Sequence, residues 1–248
     1  MEQAYEIAGA AASTTKKEII IDIRDLKKTY RVGSVNVHAL SGINFSLNRG
    51  EICCVVGRSG SGKSTLLNLM AGLEGPTSGE IVIARQHVEK MNQSELILFR
   101  QQHVGFIFQS FNLMPYYTAL ENVAFPLVFR GMSKRKRMKL AREMLCSVGL
   151  ETHLKHKPTQ MSGGQQQRVG IARALVTNPE IVFADEPTGN LDSKTSDEVM
   201  NLICDIARTQ NKTLVMVTHD PNMAAFTDKA VHLLDGQVVK IDENTREI

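Results

Sequence analysis

The sequence has no tryptophan, and only 9 phenylalanines and 4 tyrosines among 248 residues, so its core must be built from aliphatic side chains. Cysteine is also scarce. Cys53, Cys54, Cys146 and Cys204 form no C-x-x-C pair, and no Cys/His cluster has zinc spacing, which argues against a zinc module and a disulfide scaffold. Cys53 and Cys54 fall inside the apolar run Ile52-Cys53-Cys54-Val55-Val56 and read as buried strand thiols of a reduced, cytosolic protein. No stretch approaches the roughly 20 apolar residues needed to span a bilayer, so a membrane role has to come through a partner. Residues 4–15 are small and polar, unlike a secretory signal, and residues 1–16 are expected to form a disordered extension. An excess of one charge sign is missing too. The 29 basic residues are mixed with 26 acidic ones for a net +3, a balance that argues against nucleic acid as a partner.

What is present is an ordinary globular composition, 42% hydrophobic and 22% charged, in a length that suits one large domain or a domain with an inserted lobe. Residues 18–30 and 35–47 read as strands. Residues 52–56 form a short continuous apolar strand of the kind buried on both faces of a parallel sheet. A glycine-rich loop follows, then a helical pattern over 64–71, a turn at 75–79 and a strand at 80–84. From residue 94 to 149 the pattern is mainly helical, interrupted by a strand at 104–108, with helices expected at 119–129 and 134–148. Strand and helix then alternate again: helices at 165–175 and 193–208, strands at 181–184 and 213–217. Asp235-Gly236 marks a hairpin turn between 230–234 and 237–241. The pattern predicts an α/β core carrying a helical insertion at roughly 110–165, within a domain that runs from residue 17 to 248.

Gly57-Arg58-Ser59-Gly60-Ser61-Gly62-Lys63-Ser64 matches G-x-x-x-x-G-K-[ST] in its required context, after a buried strand and at the start of a helix. Glycines let successive backbone N–H groups turn inward toward phosphate oxygens, and the helix N-terminus adds partial positive charge. Lys63 supplies a point charge for the β- and γ-phosphates. The Ser64 hydroxyl is a hard oxygen ligand suited to Mg2+. This predicts a P-loop NTPase core with a mostly parallel sheet.

A second apolar strand, Ile181-Val182-Phe183-Ala184, ends in Asp185-Glu186. Side chains alternate along a strand, so the two acids point in different directions and can do different work. Asp185 is expected to hold the magnesium shell and Glu186 to act as general base on an attacking water.

Further segments narrow the reading. Met161-Ser162-Gly163-Gly164-Gln165 resembles the LSGGQ signature of ATP-binding-cassette (ABC) ATPases, with Met161 where the family has leucine. Phe108-Gln109-Ser110 resembles its Q-loop, Asn190-Leu191-Asp192 its D-loop and Val217-Thr218-His219-Asp220 its switch-histidine loop. Tyr30 sits where that family places an aromatic that stacks on adenine. The resemblance covers residues 30–219. It implies an N-terminal antiparallel β subdomain, a helical signature subdomain, and ATP with Mg2+ as ligands. Nucleotide contacts would come from Tyr30, the loop with Thr65, Gln109, Ser162, Gly163, Gly164, Gln165, Asp192 and His219. Gln109 would also contact Mg2+, and Lys63, Gln109 and His219 would join Glu186 in catalysis. Ser162 is in addition a good N-cap, and the glycines after it leave N–H groups free, so the signature is itself an anion site at a helix start. Two phosphate sites in one chain make sense if each completes the site of a second copy, in a head-to-tail isologous dimer.

Pro187-Thr188-Gly189-Asn190-Leu191-Asp192, Phe111-Asn112-Leu113-Met114-Pro115 and Glu121-Asn122-Val123 resemble the subgroup of lipoprotein-release, macrolide-efflux, antimicrobial-peptide-resistance and cell-division ATPases. That resemblance implies an integral membrane permease docked near residues 111–122, from Phe111 to Asn122, and a place on the inner face of the cell membrane. Two functions share this chemistry: the energy subunit of a transporter, and a regulatory ATPase that moves no substrate. A soluble DNA- or ribosome-directed ATPase would carry coiled coils or two cassettes, and a GTPase an N-K-x-D motif; neither feature is found. Arg130 and residues 134–139 form a basic run that reads either as a solvated helix face or as a contact for acidic lipid or a partner.

Overall fold

The computed structural model describes residues 18–244. The expected disordered extension, residues 1–16, lies outside them. Two sheets organise the chain. Long antiparallel strands β1 (Ile19–Val32) and β2 (Val35–Asn48) pair with β4 (Ser78–Ile83) and β5 (Gln86–His87) in the order β2-β1-β4-β5. The second sheet joins β3 (Ile52–Val56), β6 (Val104–Ile107), β7 (Ile181–Asp185), β8 (Thr213–Thr218), β9 (Lys229–Leu234) and β10 (Gln237–Glu243) in the order β10-β9-β3-β8-β7-β6. All its pairings are parallel except the β9–β10 hairpin.

The apolar runs of the central strands serve two cores at once, because alternate residues face opposite sides of the sheet. Ile52, Cys54, Val182, Ala184, Leu214 and Met216 join the core under α6 (Gly163–Leu175) and α7 (Ser193–Thr209). Cys53, Val55, Phe183, Val215 and Val217 join the core shared with α1 (Lys63–Met70), α2 (Gln93–His103) and the antiparallel sheet. The two adjacent cysteines are therefore buried on opposite sides. Each large aliphatic or aromatic side chain buried this way contributes about 1.5–3 kcal/mol.

Between β6 and α6 lie α3 (Ala119–Ala124), α4 (Pro126–Phe129) and α5 (Lys134–Ser147). Ala119, Val123, Leu127, Ala141 and Leu145 extend the α6 core without a break, so this helical segment is packed continuously with the sheet. One helix was expected over 119–129. The structure divides it at Phe125 because Pro126 lacks the N–H needed to continue the ladder. Helix α6 also begins earlier than the expected residue 165. Ser162 and Gln165 form a reciprocal capping box, which places Gly163 and Gly164 in the first turn.

Candidate nucleotide site

The loop after β3 owes its shape to contacts that only glycine permits. A Cβ on Gly57 would stand 2.4 Å from the Leu233 carbonyl oxygen, and one on Gly62, whose φ is +100°, would stand 2.5 Å from the Ala39 oxygen. The tip of the β9–β10 hairpin braces the loop, with Gly236 N donating to Ser61 O at 3.1 Å. Lys63 is only 7% exposed, and its Nζ donates to the carbonyls of Gly57 (2.8 Å) and Arg58 (2.9 Å). Helix α1 starts at this point without a side-chain cap or an acidic residue in its first turn, so its N–H groups and dipole face the cavity unopposed. The cavity, of about 570 Å3, is walled by β2 residues Val37–Ala39 on one side and by Ser59, Gly60, Ser64, Thr65, Glu186 and His219 on the others.

The two acids after the apolar run point to different partners, though not by strand alternation: β7 ends at Asp185, and Glu186 follows it in left-handed backbone. Ser64 Oγ donates to Asp185 Oδ1 at 3.4 Å. Burial, reinforced by the neighbouring Glu186 charge, pushes the Asp185 carboxyl above its usual range, against the opposing pull of Ser64 and Lys63. A cation at this position would relieve that penalty. Glu186 takes a positive φ of +41°, and its Oε2 meets His219 Nδ1 at 3.1 Å. Gln109 approaches from the end of β6. Its Nε2 and Glu186 Oε2 lie 2.8 and 3.2 Å from the point where a Cβ on Gly189 would stand. Lys63, Ser64, Asp185, Glu186, Gln109 and His219 thus converge from four strand ends.

The remaining expected residues lie elsewhere. Ser162 and Gln165 are engaged with each other, Ser162 Oγ accepting from Gln165 N (3.3 Å) and Gln165 Oε1 from Ser162 N (3.0 Å). Gly163 and Gly164 pack against Leu191 and Thr195, and none of residues 162–165 lines the cavity over the loop. Asp192 uses its carboxylate to cap α7, accepting from Thr195 N (3.1 Å) and Thr195 Oγ1 (2.7 Å), bonds that hold its pKa below the usual carboxylate range. Tyr30 is outside that cavity wall. Its hydroxyl donates to Glu74 Oε2 at 2.6 Å, and Lys28 Nζ lies 4.9 Å from its ring centre. Burial and the Glu74 contact raise the Tyr30 phenol pKa. Glu74 carries no motif in the sequence, and Gly189 enters it only as part of the segment 187–192; its close approach to Gln109 and Glu186 is visible only in the structure.

Two sequence readings are corrected. Arg130 does not belong to the basic surface run: it turns inward and donates to the carbonyls of Gln101 and Thr177, while Lys134, Arg135, Lys136 and Lys139 stay exposed. Asn122 is not part of an exposed docking face. It is fully buried, its Nδ2 donating to the carbonyls of Met114, Tyr117 and Thr118 and its Oδ1 accepting from Met114 N. The exposed large hydrophobic side chains of that segment are Tyr116, 85% accessible, and Tyr117 beside it.

A glycine cradle between a buried strand and a helix, with a lysine inside it and paired acids at the end of a parallel strand one place removed in the same sheet, defines a P-loop nucleoside triphosphatase. The chain belongs, within that class, to the ATP-binding subunits of ABC transporters: the family model described as ABC transporter matches residues 40–189. It is 46% identical over 223 residues to the ABC transporter ATP-binding protein MJ0796 of Methanocaldococcus jannaschii, covering 88% of this chain and 95% of that one. It is 46% identical to the lipoprotein-releasing system ATP-binding protein LolD of Geobacter metallireducens, covering 89% and 98%, and 47% identical to the ABC transporter ATP-binding protein YtrE of Bacillus subtilis, covering 88% and 96%. A dimeric solved structure of MJ0796 in a post-hydrolysis state with ADP and Pi superposes with a TM-score of 0.84 at 43% identity, covering 92% of this chain and all of that one. Among the described residues, no helix is long and apolar enough to cross a membrane.

Proposed function

We propose that the chain binds and hydrolyses ATP, closing head-to-tail with a second copy around two Mg-ATP to drive an integral membrane permease. The residues fit that ligand. Ser61 Oγ is buried with no hydrogen-bond partner, the loop leaves no room for side chains at Gly57 and Gly62, and α1 points uncapped N–H groups into the cavity. In this reading the loop N–H groups and Lys63 hold the β- and γ-phosphates, and Thr65 and Tyr30 border the rest of the nucleotide. Ser64, Gln109 and Asp185 would hold Mg2+, which screens phosphate charge when bound. Glu186 takes the proton of the attacking water. His219 orients Glu186 and contacts the γ-phosphate. Ser162, Gly163 and Gly164 of the second copy supply N–H groups at a helix start to the far side of the same phosphates.

One observation carries the proposal. The Glu186–His219 pair faces the cavity of Lys63 and Ser64, while the signature stands outside that cavity with its glycine N–H groups at an open helix end. A head-to-tail dimer would join the two halves, and the similar MJ0796 structure with ADP and Pi is dimeric. The permease would meet Tyr116, Tyr117 and the adjoining groove of about 230 Å3, lined by Val104, Phe106, Pro126, Phe129 and Arg173. This docking would place the chain on the inner face of the membrane, and the LolD relative makes lipoprotein release or a related export step the preferred process. The test is Glu186→Gln: it should keep ATP binding, lose turnover and accumulate as an ATP-bound dimer on a sizing column. A variant that stays monomeric in saturating ATP would refute the reading.

A further inference from the structure

The turn after Gln109 is held in a conformation that Phe111 strongly disfavours and Asn112 tolerates. Phe111 and Asn112 both have positive φ, +58° and +49°. A bulky aromatic residue rarely enters the left-handed region, so such a turn persists only when its surroundings hold it. The holding group is Arg173. Its Nη2 donates to the Phe111 carbonyl at 2.8 Å and its Nη1 to the Asn112 carbonyl at 2.5 Å, with the guanidinium 5.9 Å from the centre of the Phe108 ring. Burial pushes the Arg173 pKa below its usual value, with no acid offsetting it. An arginine held on carbonyls in this way is placed by the geometry of its fork rather than by an ion pair.

Arg173 stands on α6, the helix that the signature opens. The ten steps from Gly163 to Arg173 span about 15 Å of helix. The strained turn touches α6 at both ends of that span. Its carbonyls meet Arg173, and the Phe111 ring lies 3.8 Å from where a Cβ on Gly163 would stand. On its other side the Gln109 carbonyl accepts from Asn190 Nδ2 at 3.0 Å, which ties the loop to the segment after Glu186.

We propose that the Arg173 fork on the Phe111 and Asn112 carbonyls is a positioning device that fixes the signature end of α6 against the Gln109 loop. Displacement of that loop then carries Ser162, Gly163 and Gly164 with it. The inference rests on the ATPase reading above. Arg173 acts only through the turn and is a positioning residue.

The test compares Arg173→Lys, Asn112→Gly and the double variant. Lysine keeps the charge but cannot reach two carbonyls with a planar fork. Glycine accepts positive φ without strain. R173K should lower steady-state ATP turnover about tenfold. In an E186Q background it should raise the ATP concentration needed for dimerisation by a similar factor. ATP affinity of the monomer should stay within about twofold, on calorimetry, because the loop is untouched. N112G alone should turn over normally, and R173K/N112G should regain at least half of the lost turnover. Full turnover in R173K, a loss that glycine does not repair, or an equal loss of monomer affinity would each overturn the clamp. An E186Q protein with Arg173 intact that never dimerises would instead overturn the ATPase reading, and the clamp with it.

Discussion

The loop end and the signature end of this molecule are built in opposite ways. At the loop end, contiguous residues make the site: Gly57 to Ser64 fold over one helix start, and backbone contacts that exclude side chains set the shape. At the signature end, only Ser162 to Gln165 are local. The helical segment around them is tied by distant side chains: Arg173 grips a strained turn 61 and 62 residues away in sequence, Arg130 braces Gln101 and Thr177, and Asn122 pins residues 114–118. A half-site shaped by local backbone is joined to one framed by long-range side-chain contacts. That division suits a motor in which one half binds nucleotide and the other brings the partner copy into reach.

If the division is right, substitutions at the two ends should fail differently. The largest effect belongs to Glu186→Gln, where turnover should fall by about two to three orders of magnitude with ATP binding intact, read by phosphate release. Next comes Gly189→Ala. Its Cβ would meet Gln109 Nε2 at 2.8 Å and Glu186 Oε2 at 3.2 Å, so both side chains must move. Turnover should drop about tenfold while calorimetric ATP affinity changes little. Asn122→Ala should act on stability instead. It removes the side-chain partner of the Met114 N–H and the Tyr117 carbonyl and leaves the Met114 and Thr118 carbonyls with backbone donors alone, costing about 2–3 kcal/mol on urea unfolding. Equal stability loss from Gly189→Ala would erase the contrast between the ends.

The smallest effect tests electrostatics at the loop end. The folded-state pKa of Asp185 is raised above its unfolded value, so folding favours the protonated form. Its ionised form therefore destabilises the nucleotide-free fold once pH rises above the unfolded pKa, near 3.8. Asp185→Asn should raise the melting temperature at neutral pH in the absence of nucleotide, and the gain should vanish as pH falls below that value. A gain that grew toward acid would contradict the sign.

Much of this was legible in the chain because the physics is local. The loop, the strand-end acids and the S-x-x-Q box at Ser162 need only neighbouring residues to be recognised. The strands of the parallel sheet declared themselves as short apolar runs. Less visible were features set by distant partners. Asn112 is a residue type that tolerates left-handed backbone, but nothing marks Phe111 for it, because the group that holds it there sits on α6. Arg130 looked like surface charge until its carbonyl partners were in view, and Asn122 looked like a docking residue until its four bonds placed it in the interior. Pro126 did signal a break inside the helix expected over 119–129, and its meaning was available in the sequence.

The most direct measurement of shared-site catalysis mixes two inactive proteins. Lys63→Ala disables a copy's own loop, and Ser162→Arg disables what it offers its partner. In a mixed head-to-tail dimer both lesions fall in one site, leaving the other site with an intact Lys63 and an intact Ser162. Mixing should therefore restore ATP turnover above that of either parent. Turnover that stays at the parental level in a mixture shown to form mixed dimers would contradict the account.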